Sequence, residues 1–279
     1  MLLKRIFRFS TISSLGMVAL LFTSGVVAEE KNEDVFAFPD KIMLRAGAYF
    51  VDGTRTQFSI NSTTGGLGTT LDYSKDLGGE KRETIPRLDA YYRFNDRHRI
   101  DFTSFSINRD GVRELAVDPP LQIGDETFTG ETLNSSIKYT LYKLGYVYSF
   151  YHSPKVELGI SAGLNITSYD MDFSNAAGDK AEAVGITAPL PVFGLRMNYL
   201  ITPEWSIGYL VETFAIEIDN FRGSLFNYEL NTEYRLLKNF SLGIGLARLG
   251  MNVEVDEDDW RGTVSDSYRG FTAFGVLYF

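Results

Sequence analysis

From Gly223 to Ala247 the chain alternates through two consecutive runs. Phe226, Tyr228, Leu230, Thr232, Tyr234 and Leu236 share one face, while Asn227, Glu229, Asn231, Glu233 and Arg235 share the other. After a turn at 237–239, Phe240, Leu242, Ile244 and Leu246 continue the apolar face against Ser241, Gly243, Gly245 and Ala247. A period of two is the signature of a strand with one apolar and one polar face. The same pattern recurs at 42–50, 88–94, 142–150 and 156–166. Many runs reach roughly 12–18 residues, against a mode of about 5–6 for strands of globular proteins.

Connections between the runs alternate in length. Short turns fall at 95–98, 151–154, 201–204 and 237–239; longer polar stretches fall at 52–83, 110–130, 173–183 and 255–263. Long strands with short turns on one rim and long loops on the other predict an all-β fold, a transmembrane antiparallel up-and-down β-barrel. Its apolar face meets lipid, its polar face meets the lumen, and closure leaves no unpaired edge in hydrocarbon. Ten strands are predicted, near 41–60, 84–95, 98–109, 130–150, 155–172, 184–200, 204–218, 223–236, 239–255 and 263–279. The stretch 54–74 leaves twelve strands as an alternative. Pro189 and Pro191 remove ladder donors, which predicts a bulge or a frayed upper end there. Arg248 falls on the apolar face, which predicts a bulge or the end of the lipid zone.

Residues 1–28 have a basic start (Lys4, Arg5, Arg8), an apolar stretch from Leu15 to Val27, and small residues ending at Ala28. This is the pattern of a cleaved secretory signal peptide. A short periplasmic segment, 29–40, is expected to follow, and then the barrel, 41–279. Beyond the signal no run reaches 18 consecutive apolar residues, so no transmembrane helix is predicted. The whole chain has 27 Lys+Arg against 36 Asp+Glu; removing three basic residues with 1–28 leaves 24 against 36, a net −12. That charge disfavours nucleic acid as a partner. Cysteine is absent, so an exported chain carries neither a disulfide framework nor a thiol ligand.

The chain ends "GFTAFGVLYF", with Phe271, Ala273, Gly275, Leu277 and Phe279 at alternate positions. This terminus resembles the C-terminal signal of bacterial outer-membrane barrels. The resemblance implies that the barrel-assembly machinery reads these five residues. It also implies location in the Gram-negative outer membrane, with membrane lipid and lipopolysaccharide as neighbours. The order of "YKLGYVYSFYHSPKVELGISAGL", "APLPVFGLRMNYLITPEWSIGY" and "DEDDWRG" is similar to a family of uncharacterised Gram-negative outer-membrane barrels, which brings no established activity.

Catalytic chemistry is not predicted. Barrel enzymes use a His with a carboxylate or Ser at the outer rim or lipid interface, whereas His98 and His152 both fall in short turns assigned to the periplasmic rim. A Ser nucleophile needs a nearby base, and none is evident. The acidic run 254–260 lacks the spacing of an EF-hand loop, and "LGIGLARLG" lies on a strand and opens no helix. No catalytic residue, cofactor or metal site is assigned. The inward charges carry more information: Arg45, Arg87, Asp89, Arg93, Arg99, Asp101 and Lys143 on early strands, then Glu157, Arg196, Glu212, Glu229, Glu233 and Arg235. They predict either an interior network filling a narrow barrel or a charged constriction, with Arg93 or Lys143 as a partner for Glu229. Barrels of about eight strands are filled by side chains, and aqueous channels are typical of 16–18. The expected role is therefore structural or surface-interacting with a plugged lumen. The alternative is a narrow, porin-like channel for small polar or charged solutes, and an outer-membrane enzyme ranks third.

Overall fold

The computed structural model describes residues 40–62, 70–118, 120–123, 126–218, 220–256 and 260–279. The expected signal sequence 1–28, most of the expected periplasmic segment 29–40 and the tip of the acidic run lie outside the described residues. Ten long strands among them form the wall: β1 (Ile42–Ser62), β3 (Glu83–Asn95), β4 (His98–Glu114), β7 (Thr132–His152), β8 (Val156–Asn175), β9 (Ala181–Leu200), β10 (Trp205–Ile218), β11 (Phe221–Leu237), β12 (Phe240–Asp256) and β13 (Trp260–Tyr278). Each pairs antiparallel with its neighbours, and β13 pairs back to β1, from Met43↔Tyr278 upward, closing the barrel. Phe279 and Ile42 exchange two backbone hydrogen bonds at 2.9 and 3.0 Å, so the start of β1 and the end of β13 meet on the short-turn rim.

The count is ten and not twelve. "TRTQFSI" extends β1, and among the described residues the next segment supplies only β2 (Leu71–Asp72) and a single turn of helix, α1 (Tyr73–Asp76). Asp72 caps that turn, accepting from the Lys75 amide. β3 is short and leaves β1 at Val51↔Glu83, and β2 takes its place at Phe58↔Leu71. A two-stranded hairpin, β5 (Leu121–Ile123) and β6 (Glu126–Phe128), lies between β4 and β7.

At the prolines the ladder to β8 runs on in unbroken register, Ile166↔Pro189 and Leu164↔Pro191. The ladder to β10 stops just below them, at Thr213↔Phe193. The two missing donors thus coincide with a frayed seam, not with a bulge. No register shift occurs at Arg248, which points outward opposite Arg269. The bulge on this side of the wall is in β1, at Val51/Gly53.

The outer wall of the lower barrel is apolar: Leu144, Ile160, Leu164, Leu195, Ile244 and Leu277 are all exposed. Tyr92, Phe94, Tyr146, Phe150, Tyr199, Trp205, Tyr234 and Phe279 ring the short-turn end as an aromatic girdle. Higher up the two faces exchange character. On β7 the outward residues Tyr142, Leu144 and Tyr146 give way to Thr140, Lys138 and Ser136, and the inward Lys143 gives way to Leu141, Tyr139 and Ile137. Where the wall leaves lipid for water, apolar side chains must turn inward to escape solvent. The lower barrel is polar inside, and the upper barrel has an ordinary apolar core.

Candidate functional site

The lower lumen holds a connected set of ion pairs. Arg93 reaches across to Glu157 at 2.8 Å, and Glu157 also accepts from Asn198 at 3.3 Å and, in a short contact, from Ser149. Arg99 stands 4.0 Å from Glu157 and 2.9 Å from Asp101. Arg196 joins Asp101 at 3.1 Å to Glu212 at 3.4 Å. Lys143 donates to both oxygens of Glu212, at 3.0 and 2.8 Å. Arg87 binds Glu229 at 2.8 Å and Asp89 at 2.9 Å, and Thr103 donates to Asp89 at 2.8 Å. Asn227 ties the two groups together, donating to Glu212 and Glu229. Arg87, Arg93, Arg99, Lys143 and Arg196 therefore face Asp89, Asp101, Glu157, Glu212 and Glu229, a set balanced in charge. Such a set meets the need that buried charges be paired.

The partner of Glu229 is Arg87, not Arg93 or Lys143, which are taken by Glu157 and Glu212. Arg45 stands apart, its guanidinium 4.3 Å over the ring of Phe274. Glu233 and Arg235 lie lower, near the short-turn rim. Arg235 pairs with Asp40 and covers the ring of Tyr278 at 4.2 Å, and Tyr278 donates to Glu233 at 2.5 Å. Burial raises the Asp40 carboxyl above its ordinary value, against the pull of Arg235. A cavity of about 140 Å³ opens among these groups, from Asp40 and Glu204 at the rim inward to Lys143 and Glu229. His98 and His152 sit at this rim too, His98 in a short contact with the Tyr146 hydroxyl.

Above the charged set the lumen is packed. Tyr139 stands 4.7 Å from Tyr169 and 6.3 Å from Tyr268, and Phe58 stands 6.0 Å from Phe173. Tyr73 and Leu77, from the α1 segment, fill the space between, and Ile123 and Phe128 of the β5–β6 hairpin are buried in the same cluster. One polar group runs through it. Arg109 donates to Thr56 at 2.6 Å, to Ser74 at 3.0 Å and to the Glu80 carbonyl at 2.6 Å, with its guanidinium 4.8 Å over the Tyr73 ring. Thr56 in turn donates to Asp266 at 2.6 Å, and Asp266 accepts from Tyr169 at 2.5 Å and Tyr268 at 2.7 Å. Reading of single strands passed over Arg109 and Asp266. Their parity was the available signal, since Arg109 shares the inward face of Arg99 and Asp101, and Asp266 that of Tyr268.

At the loop end Lys180 donates to Glu131 at 2.6 Å and to the Thr127 carbonyl at 2.8 Å, while Asn175 donates to Glu131 at 2.7 Å. The Lys180 and Asn175 hydrogen bonds hold the Glu131 carboxyl down at about 2, and Glu131 raises Lys180. This clamp fastens the hairpin over the mouth.

No protein-family model and no curated protein matches the chain. Solved structures do match in fold. The outer membrane protease OmpT of Escherichia coli is similar with a TM-score of 0.55 and 12% identity, over 87% of this chain and 98% of that one. Weaker likenesses include Ail of Yersinia pestis, solved with the heparin analogue sucrose octasulfate (TM-score 0.32, 13% identity, 83% and 97% covered). Another is the toluene transporter TodX of P. putida (TM-score 0.34, 10% identity, 86% and 91% covered). The chain has the closed-barrel fold of Gram-negative outer-membrane proteins.

Proposed function

We propose that this protein is a plugged outer-membrane barrel with a structural or surface-interaction role, acting through its loops and outer wall. Support comes chiefly from one observation: Tyr169 on β8 and Asp266 on β13, half a circuit apart, are joined by a hydrogen bond of 2.5 Å. Side chains that meet across a ten-strand barrel divide the lumen at that level, and the aromatic packing of Tyr139 on Tyr169 and Tyr268 supports a plug there. The balanced ion-pair network below then serves to fill and stiffen a polar interior.

The same reading includes export by the signal sequence 1–28, and assembly through Phe271, Ala273, Gly275, Leu277 and Phe279. It includes no enzymatic role: both histidines stand on the short-turn rim. Planar-bilayer recording of the purified protein tests it, with a silent membrane as the expected outcome. Steady unitary currents at neutral pH would instead favour a narrow channel for small polar or charged solutes, the reading for which the charged lower cavity speaks.

A further inference from the structure

Three arginines interrupt the outer wall on adjacent strands: Arg55 on β1, Arg269 on β13 and Arg248 on β12. Arg269 and Arg248 are directly opposite one another, and Arg55 pairs with Ser267, two residues above Arg269. All three side chains are exposed. The ion pairs elsewhere on the upper wall, Arg82–Asp52 and Arg222–Glu217, involve none of them. Among the described residues none of the three has a carboxylate partner. Like charges directly opposite on neighbouring strands destabilise a sheet, so this row favours a bound anion.

Its height says which anion. Immediately below lie Phe50, Phe271 and Leu246, with the two rings stacked at 4.8 Å. Immediately above, the outward residues are Ser267, Ser265 and Asn252. Arg248 is eight residues up from Phe240, or about 26 Å of strand at ~3.3 Å per residue. A strand tilt of ~35–45° reduces this to a rise of about 20 Å, near the top of an apolar band ~25 Å tall. The row therefore stands where lipid tails end and headgroups begin, on the long-loop side.

The bulge at Val51/Gly53 builds part of the site. Arg269 lies across Gly53, where a Cβ would come within 2.7 Å of its Nε. A side chain there would lift the guanidinium off the wall.

We propose that Arg55, Arg269 and Arg248 bind the headgroup of a multiply phosphorylated glycolipid of the outer leaflet, the chemistry of lipopolysaccharide. Guanidinium groups match phosphate oxygens bidentately. The three strands span about 10 Å at ~4.8 Å per spacing, wider than one phosphodiester, and three cations need more than the single charge it carries. Acyl chains would lie against Leu246, Ile244 and Phe271. The proposal concerns the outer wall and does not depend on whether the lumen conducts.

The test is native mass spectrometry of the detergent-purified full chain with three probes: bisphosphorylated lipid A, monophosphoryl lipid A and phosphatidylglycerol. Expected retention falls in that order, with about tenfold between the first and last (about 1.4 kcal/mol). The combined R55Q, R248Q and R269Q variant is expected to lose the preference while R222Q keeps it, with heat-modifiable gel mobility showing that both are folded. Equal retention of phosphatidylglycerol and lipid A by the wild type overturns the proposal without recourse to any variant. Undiminished lipid A retention by the triple variant overturns it as well.

Discussion

The hydroxyl of Tyr169 donates to the carboxylate of Asp266 at 2.5 Å, although β8 and β13 stand at opposite points of the ten-strand ring. With Tyr139 packed on both Tyr169 and Tyr268, the upper lumen is bridged by aromatic side chains. Removing two of them should open a path. We predict that Y139A/Y169A produces small unitary currents in planar bilayers where the wild type is silent. A double variant as silent as the wild type, yet folded by gel mobility, would show that the seal lies elsewhere.

Lys143 and Glu212 belong to strands with two others between them, and both side chains are almost wholly buried. Removing one partner strands a charge in the interior, at a cost of about 3–5 kcal/mol. Removing both in favour of apolar groups can be close to neutral. The expected order of urea stability in lipid vesicles is therefore K143M/E212L well above E212L, with the wild type highest because Glu212 also holds Arg196 and Asn227. If E212L unfolds at the wild-type urea concentration, the lower lumen is wet enough to solvate Lys143 alone.

Ile244 faces lipid midway along the apolar run of β12, between Phe240 and Arg248. I244R is predicted to destabilise the barrel by about 2–4 kcal/mol if it lies near the bilayer midplane. N252R, on the same face above the arginine row, should cost much less. Equal penalties in vesicle unfolding would put the membrane band at a different height.

The Glu131 clamp has a pH signature. Its carboxyl titrates at about 2 in the fold, below the ordinary 4.5. A depressed carboxylate contributes stability that is fully present above its unfolded pKa and is lost as pH falls through the folded one. The hairpin should stay closed at pH 5, loosen below about 4 and release near 2, whereas E131Q should be loosened already at neutral pH and show no such dependence. Fluorine NMR of fluorophenylalanine at position 128 reads this directly, because Phe128 is fully buried beneath the clamp. Loss of the buried signal at pH 5 in the wild type would contradict the assignment.

Strand positions and the barrel class were readable because a period of two survives whatever the strand packs against. The change of face was harder to see. In "SSIKYTLYKLGYVY" the apolar set is Ile137, Tyr139 and Leu141 and then Tyr142, Leu144 and Tyr146. The parity slips by one where the outer wall passes from lipid to water, and a reading anchored at Tyr142 finds only the lower half. Pairings within the network were not readable either. Arg93 to Glu157 and Arg87 to Glu229 depend on which strands face each other across the ring and on their stagger, and neither is written in any single strand. The plug is less readable still, since Tyr73 and Leu77 lie in a loop with no period at all.

Arg109 is what fastens that loop. It is buried on β4, and its planar group spends its donors on Thr56, Ser74 and, twice, the Glu80 carbonyl, at 2.6 to 3.1 Å. Tyr73 answers from the other side, donating to the Arg109 carbonyl at 2.8 Å. Lysine would keep the charge but lacks the fork that reaches three directions at once, and hydrogen bonds to charged groups contribute about 1.5–3 kcal/mol each. R109K is therefore predicted to free the α1 segment while leaving the wall closed. Trypsin supplies the readout, because Lys75, Lys81 and Arg82 all lie in that segment. Cleavage between 75 and 82 should accelerate at least about tenfold, the equivalent of ~1.4 kcal/mol, while the barrel keeps its heat-modifiable mobility. Wild-type cleavage rates in R109K would show that apolar burial of Tyr73 and Leu77 suffices to hold the plug. Cleavage throughout the chain with loss of folded mobility would show instead that Arg109 supports the whole barrel.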